Sequence, residues 1–141
     1  MATKVTADLD SATATLDSFA HASFRGAKYY ASVNNTTTNE VMNAEFIVVH
    51  NGTDAFITTY NQFTTNSGNT PLATFTADIS GSDVRVRGAN GTAGTCRVTL
   101  YRVLLADNES DSTINSNESI IGAQTVSNTA STTIDTNTFT G

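Results

Sequence analysis

The sequence predicts an all-β domain, an antiparallel β-sandwich of jelly-roll-like or immunoglobulin-like type, followed by an extended C-terminal arm. Three observations carry this expectation. Thr, Ser and Asn supply 53 of the 141 residues and charged residues only 14 %, against roughly a quarter charged in an average domain. Several segments alternate apolar and polar side chains with a period of two, the spacing of a half-buried strand. Turn signals recur about every ten residues, which suits a sandwich or barrel with short antiparallel connections. The length accommodates one domain of typical size, not two full ones.

The first candidate element, residues 12–22, is long enough for a helix but is crowded with Thr and Ser, which favour caps and strands over helix interiors. Residues 25–34 follow, with Ala27, Tyr29, Ala31 and Val33 on one face and Lys28, Tyr30, Ser32 and Asn34 on the other. In residues 41–50, Met42, Ala44, Phe46 and Val48 point one way and the opposite face is mixed. Asn51-Gly52 then predicts a type I′ hairpin turn, which needs positive φ at both central residues, and residues 55–63 form the return strand. After a polar loop over 64–71, residues 72–79 place Ala73, Phe75, Ala77 and Ile79 on one face. Gly81 and Ser82 make a second tight turn into a short strand over 84–87, with Val84 and Val86 inward and Arg85 and Arg87 outward. A Gly-rich loop over 88–94 leads to the longest strand, 95–105, with Cys96, Val98, Leu100 and Leu104 inward.

The charge divides the chain. All seven Lys and Arg lie from Lys4 to Arg102 with eight of the thirteen acids, a net −1. The remaining residues hold Asp107, Glu109, Asp111, Glu118 and Asp135 and no base. This asymmetry sets the expected boundary: residues 1–106 as the sandwich, 107–141 as an acidic linker and arm. Ile120, Ile121, Val126, Ile134 and Phe139 are the arm's widely spaced apolar residues and the expected subunit contacts. Alone, such an arm buries too little surface to offset its ordering entropy, so its order would come from a neighbour. Residues 129–136 also echo residues 11–18, with Ala130, Thr133 and Asp135 repeating Ala12, Thr15 and Asp17. The echo has two readings: strand donation into the sheet of a neighbouring copy, head to tail, or the start of a truncated second module.

Function classes narrow by elimination. A net charge of −6 disfavours nucleic-acid binding, which is driven mainly by Lys and Arg. No apolar run approaches the roughly 20 residues of a membrane span, and the N-terminus lacks the apolar core of an export signal. The single Cys96 has no partner for an intrachain disulfide and, alternating with Val98 and Leu100, reads as a small buried hydrophobe. His21 and His50 lack a Cys or acid at metal-ligand spacing and read as structural. No nucleophile elbow, P-loop or dinucleotide fingerprint occurs, so no enzyme, catalytic residue or cofactor is expected. Residues 107–118 match the register of a calcium-binding EF-hand loop, with acids at positions 1, 3, 5 and 12, but Ser112 stands where the sharp turn wants Gly and no helices flank it. An acidic solvated linker is the competing reading. Tyr29, Tyr30, Phe56, Tyr60, Phe63 and Tyr101 offer a sugar-stacking platform, against the alternative that at least half of them are core.

Four segments in order, Phe24 to Tyr30, Ile47 to Thr53, Leu72 to Ile79 and Arg97 to Leu105, resemble a β-rich module of structural proteins of tailed bacteriophages, especially those infecting marine cyanobacteria. The resemblance covers roughly residues 10–106. In that family the module often recurs within longer virion proteins, whereas one complete copy stands here, with a possible fragment at 129–141. The resemblance implies a non-enzymatic virion component, a head decoration or cement protein or a tail or fibre subunit. It would self-assemble through its β-domain and arm, with copies of itself and other virion proteins as partners. It implies no catalytic residue, cofactor, metal, nucleic acid or membrane. Assembly in the host cytoplasm fits the unpaired Cys96. The alternative function is a carbohydrate-binding sandwich module for attachment to a host-surface glycan.

Overall fold

The computed structural model describes residues 3–10 and 12–106. The chain runs through β1 (Thr3–Leu9), β2 (Ala14–Ala20), β3 (Phe24–Asn35), β4 (Val41–His50), β5 (Ala55–Thr64), a 3-10 turn (Ser67–Asn69), β6 (Ala73–Ser80), β7 (Asp83–Asn90) and β8 (Cys96–Ala106). Two antiparallel sheets result, one of five strands in the order β1-β8-β3-β4-β5 and one of three in the order β2-β7-β6. The predicted β-sandwich is therefore the fold. First pairs with last, second with seventh, and fourth with fifth, as in a rolled-up antiparallel ribbon, but β3 pairs β4 and β8 instead of β6.

The core lies between the sheets. Ala27, Tyr29, Ala31 and Val33 of β3 and Met42, Ala44, Phe46 and Val48 of β4 are all buried, the two faces expected from alternation. Cys96, Val98 and Leu100 of β8 continue this layer, and Leu16, Phe19, Phe75, Val84 and Val86 close it from the smaller sheet. Tyr29, Phe46 and Phe75 stack in sequence across it, with centroids 4.9 and 4.8 Å apart. Such offset ring contacts stabilise beyond the area they bury.

The structure corrects several expectations. Thr3–Leu9 is a strand the sequence reading passed over, although Val5, Ala7 and Leu9 alternate with polar residues. The β4–β5 connection is a four-residue loop: His50 pairs with Ala55, and Gly52 has positive φ while Asn51 does not. The Asn51 side-chain oxygen instead accepts the backbone N–H groups of Thr53 and Asp54 at 2.9 and 2.7 Å, an Asx turn that removes the need for type I′ geometry. β7 extends three residues into the predicted Gly-rich loop. Gly88 belongs to the strand because a Cβ there would stand 2.7 Å from Leu16 Cδ1 and 3.0 Å from Leu9 Cδ1, so methyl groups of two other strands fill its place. The arm, including Ile120, Ile121, Val126, Ile134, Phe139 and the Asp107 to Glu118 loop, lies outside the described residues.

Candidate functional site

Strand alternation gives the five-stranded sheet an outer face, away from the smaller sheet. All nine exposed large hydrophobic residues among the described ones, Tyr30, Val41, Ile47, Val49, Phe56, Tyr60, Phe63, Tyr101 and Leu105, lie on it. Isolated exposed apolar residues are ordinary, but a contiguous set on one face marks an interaction surface.

Register divides this face into two ends. At one end a cross-strand row runs Leu105, Gly26, Val49, Phe56. Gly26 is buried in this row and has no room for a side chain, because a Cβ there would lie 2.7 Å from the Val48 carbonyl oxygen and 3.2 Å from Val49 Cγ1. At the other end Tyr101 pairs with Tyr30, and Ser32 with Asn43, which pairs in turn with Phe63. Here Tyr30, Tyr101 and Phe63 rise around a trough of about 290 Å³ whose polar lining includes Ser32, Asn43, Glu45 and Asn61. The volume sits at the lower edge of the ~300–1,000 Å³ typical of small-molecule pockets. Phe63 is 72 % exposed, the most open of the nine.

A β-bulge shapes the boundary between the two ends. Glu45 pairs with Asn61 and Phe46 with Thr59, so Tyr60 is an extra residue in β5. Its hydroxyl donates to Glu45 Oε2 at 2.8 Å. Lys28 lies 3.8 Å from the same carboxylate, 4.9 Å from the Tyr30 ring centroid and 5.6 Å from that of Tyr60. Hydrogen bonding toward Tyr30, and after it Tyr60, pushes the Lys28 pKa up, so the ammonium keeps its charge. Cation, carboxylate and rings thus hold one another, and the boundary carries no net charge.

Of the six aromatics proposed for sugar stacking, five stand on this face. Tyr29 does not: it is fully buried, with its hydroxyl donating to Asp17 Oδ2 at 3.0 Å. Burial first, and then the Asp17 charge, raises its pKa. The alternative that at least half are core is corrected with it, since one of six is. The sequence reading missed Asn43, Glu45 and Asn61. Their signal was the mixed outer face of β4, legible only once β5 is set in register beside it.

The histidines and Cys96 take structural positions. His50 Nε2 lies 2.6 Å from the Phe24 carbonyl oxygen, and its Nδ1 accepts the Gly52 N–H at 3.0 Å, so both ring nitrogens are engaged by backbone. His21 packs edge-on to it at 5.9 Å. Cys96 is fully buried, with its thiol 3.4 Å from Asn90 Oδ1.

No family model matches the chain, and no curated protein does. Among solved structures, the chain is similar to the tailspike protein of the Acinetobacter phage vB_ApiP_P1, with 19% sequence identity and a TM-score of 0.49, over 74% of this chain and 22% of that one. It is also similar to a tailspike protein of the Acinetobacter baumannii bacteriophage Fri1, a capsular polysaccharide depolymerase, with 19% identity and a TM-score of 0.43, over 73% of this chain and 17% of that one. The chain spans about a fifth of the length of these proteins.

Proposed function

We propose that this chain is a non-enzymatic structural module of a tailed-bacteriophage particle, assembled in the host cytoplasm, that joins copies of itself and other virion proteins. Residues 1–106 form the domain and 107–141 the arm. The observation that carries the reading is the confinement, among the described residues, of all nine exposed large hydrophobics to one sheet face. A monomer gains nothing from such segregation, whereas an assembly subunit needs it. The ordered segment resemblance to phage structural modules supplies the kind of assembly, a head decoration or a tail or fibre subunit.

The row Leu105, Gly26, Val49, Phe56 is the docking end, and its occupant is a second copy of this chain. The copy's residues Ile120, Ile121 and Val126 are the apolar groups offered to that row, and its Ile134 and Phe139 belong to the segment offered as a strand. Strand donation is supported by the place of β2: it pairs with β7 alone and so lies at a sheet edge, and the echo at 129–136 repeats its Asp17 as Asp135 and its Leu16 as Ile134.

Sedimentation of the full chain over a wide concentration range tests the reading. Self-association is expected. It should weaken at least tenfold in the Val49→Ser/Phe56→Ser variant and be lost on deletion of residues 107–141, with circular dichroism unchanged. A chain that stays monomeric at high concentration, or associates equally well after both changes, overturns the proposal.

A further inference from the structure

We infer that the trough between Tyr101 and Phe63 binds a neutral oligosaccharide. The inference names a ligand for the outer face proposed above as the working surface. It rests on that proposal only in taking this face as an interaction surface.

The argument starts from what lines the trough. Among the described residues, no group hydrogen-bonds the side chains of Ser32, Asn43 or Asn61, although all three stand exposed between aromatic rings. Two amides and a hydroxyl thus offer donors and acceptors together, from three adjacent strands. Sugar hydroxyls are donors and acceptors in the same way, and the C–H face of a pyranose ring packs on an aromatic face. Tyr101 and Tyr30 supply such faces on one side and Phe63 on the other.

Dimensions agree. From β8 to β5 the floor crosses three inter-strand steps of about 4.8 Å each, roughly 14 Å, a length for a short oligosaccharide and not for a single ring. The trough is open, so longer chains can run through it.

Charge selects the class. Lys28 and Glu45 compensate each other at 3.8 Å, and Glu45 also accepts the Tyr60 proton. Among the residues that line the trough there is no Lys or Arg to recruit a phosphate or an acidic sugar, and Lys4, paired with Tyr101 from the edge strand β1, stands outside the lining. A docked protein segment is disfavoured here for a different reason: the apolar row that such a segment needs lies at the other end of the face, beyond the Lys28–Glu45–Tyr60 boundary.

The test is an array of immobilised neutral oligosaccharides of hexose and N-acetylhexosamine units, alongside acidic ones, probed with the full chain. Binding to neutral chains is expected. It should fall at least tenfold in Phe63→Ala and in Asn43→Ala, two exposed positions where the fold should be undisturbed. The Val49→Ser/Phe56→Ser variant should keep sugar binding while losing self-association, so the two proposals fail separately. No retention on any neutral oligosaccharide, preference for acidic ones, or undiminished binding by Phe63→Ala and Asn43→Ala overturns the inference.

Discussion

Arg102 on β8 places one guanidinium nitrogen, Nη1, 2.7 and 2.8 Å from the two carboxylate oxygens of Asp17 on β2. The same nitrogen donates to the Ser18 carbonyl at 2.9 Å, and Tyr29 on β3 donates to Asp17 Oδ2. The two charged side chains are 18 % and 8 % exposed. One ion pair therefore ties the smaller sheet to the larger across the sandwich.

Losing one partner of this pair should cost far more than losing both. A buried charge left without its counter-ion is penalised by about 3–5 kcal/mol, whereas replacing a whole pair by apolar groups is often neutral. Asp17→Asn should therefore destabilise by about 3 kcal/mol, a fall in Tm of more than about 10 °C for a domain of this size. The Asp17→Asn/Arg102→Met double variant should recover part of that loss. Thermal unfolding of the three chains checks this; losses that simply add would remove the pair from any role in stability.

Acid should weaken the fold through exposed carboxylates on both sheets. The fork of Arg85 around Asp78, with contacts of 2.7 and 2.7 Å, holds that carboxyl below its usual range, against opposing desolvation. Arg97 does the same for Asp8. A carboxyl whose pKa is depressed in the folded state contributes stability above its unfolded value, near 4, and loses it as pH falls through the folded value. Tm should be flat from neutrality to about pH 5 and fall below about pH 4. Asp78→Asn should lower Tm slightly at neutral pH and make the acid limb shallower. An identical acid limb in the variant would rule out this origin.

The two strand glycines should differ in what alanine costs. At Gly88 the new Cβ meets the ends of the Leu16 and Leu9 side chains, which can turn away. At Gly26 it meets the Val48 carbonyl oxygen at 2.7 Å, and backbone must move. Overpacking a core costs about 1–3 kcal/mol. Gly88→Ala should fall within that range and Gly26→Ala at or above its top. Urea unfolding would show the order, and the reverse order would contradict the register of β3 against β4.

The most regular strands were the most legible. β4, β8 and, from Ala27 onward, β3 keep strict alternation, so their inward residues could be read directly. β2 hides behind its bulge: Thr15 pairs with Arg87 and Asp17 with Val86, which makes Leu16 an extra residue and sets the buried Leu16 and Phe19 three apart. That spacing is no strand period, and it is the bulge that turns Asp17 toward Arg102. Gly88 looked like a loop because the methyl groups that fill its place come from strands distant in sequence. The trough was half legible. Alternation already set Tyr30 opposite Tyr29, and so separated the surface ring from the core ring. Asn43 and Asn61, however, become neighbours of Tyr30, and Asn43 of Phe63, only through pairing between strands, which no single-strand pattern contains.

Cys96 offers a direct check on β8. Its thiol lies at the inward end of the strand, with Asn90 Oδ1 at 3.4 Å and the Leu72 carbonyl oxygen at 3.7 Å. Nothing reaches such a sulfur without opening β8 from β1 and β3 or lifting the end of β7 that carries Asn90. In a domain of ordinary stability the fully open population is below about one in a thousand. Labelling of Cys96 by a disulfide reagent should therefore be slower than that of a free thiol by about a thousandfold or more. The rate should rise with urea in step with global unfolding. Rapid labelling in the absence of urea would mean that Cys96 faces solvent. Since strand faces alternate, that result would shift β8 by one residue and exchange Tyr101 for Leu100 on the outer face.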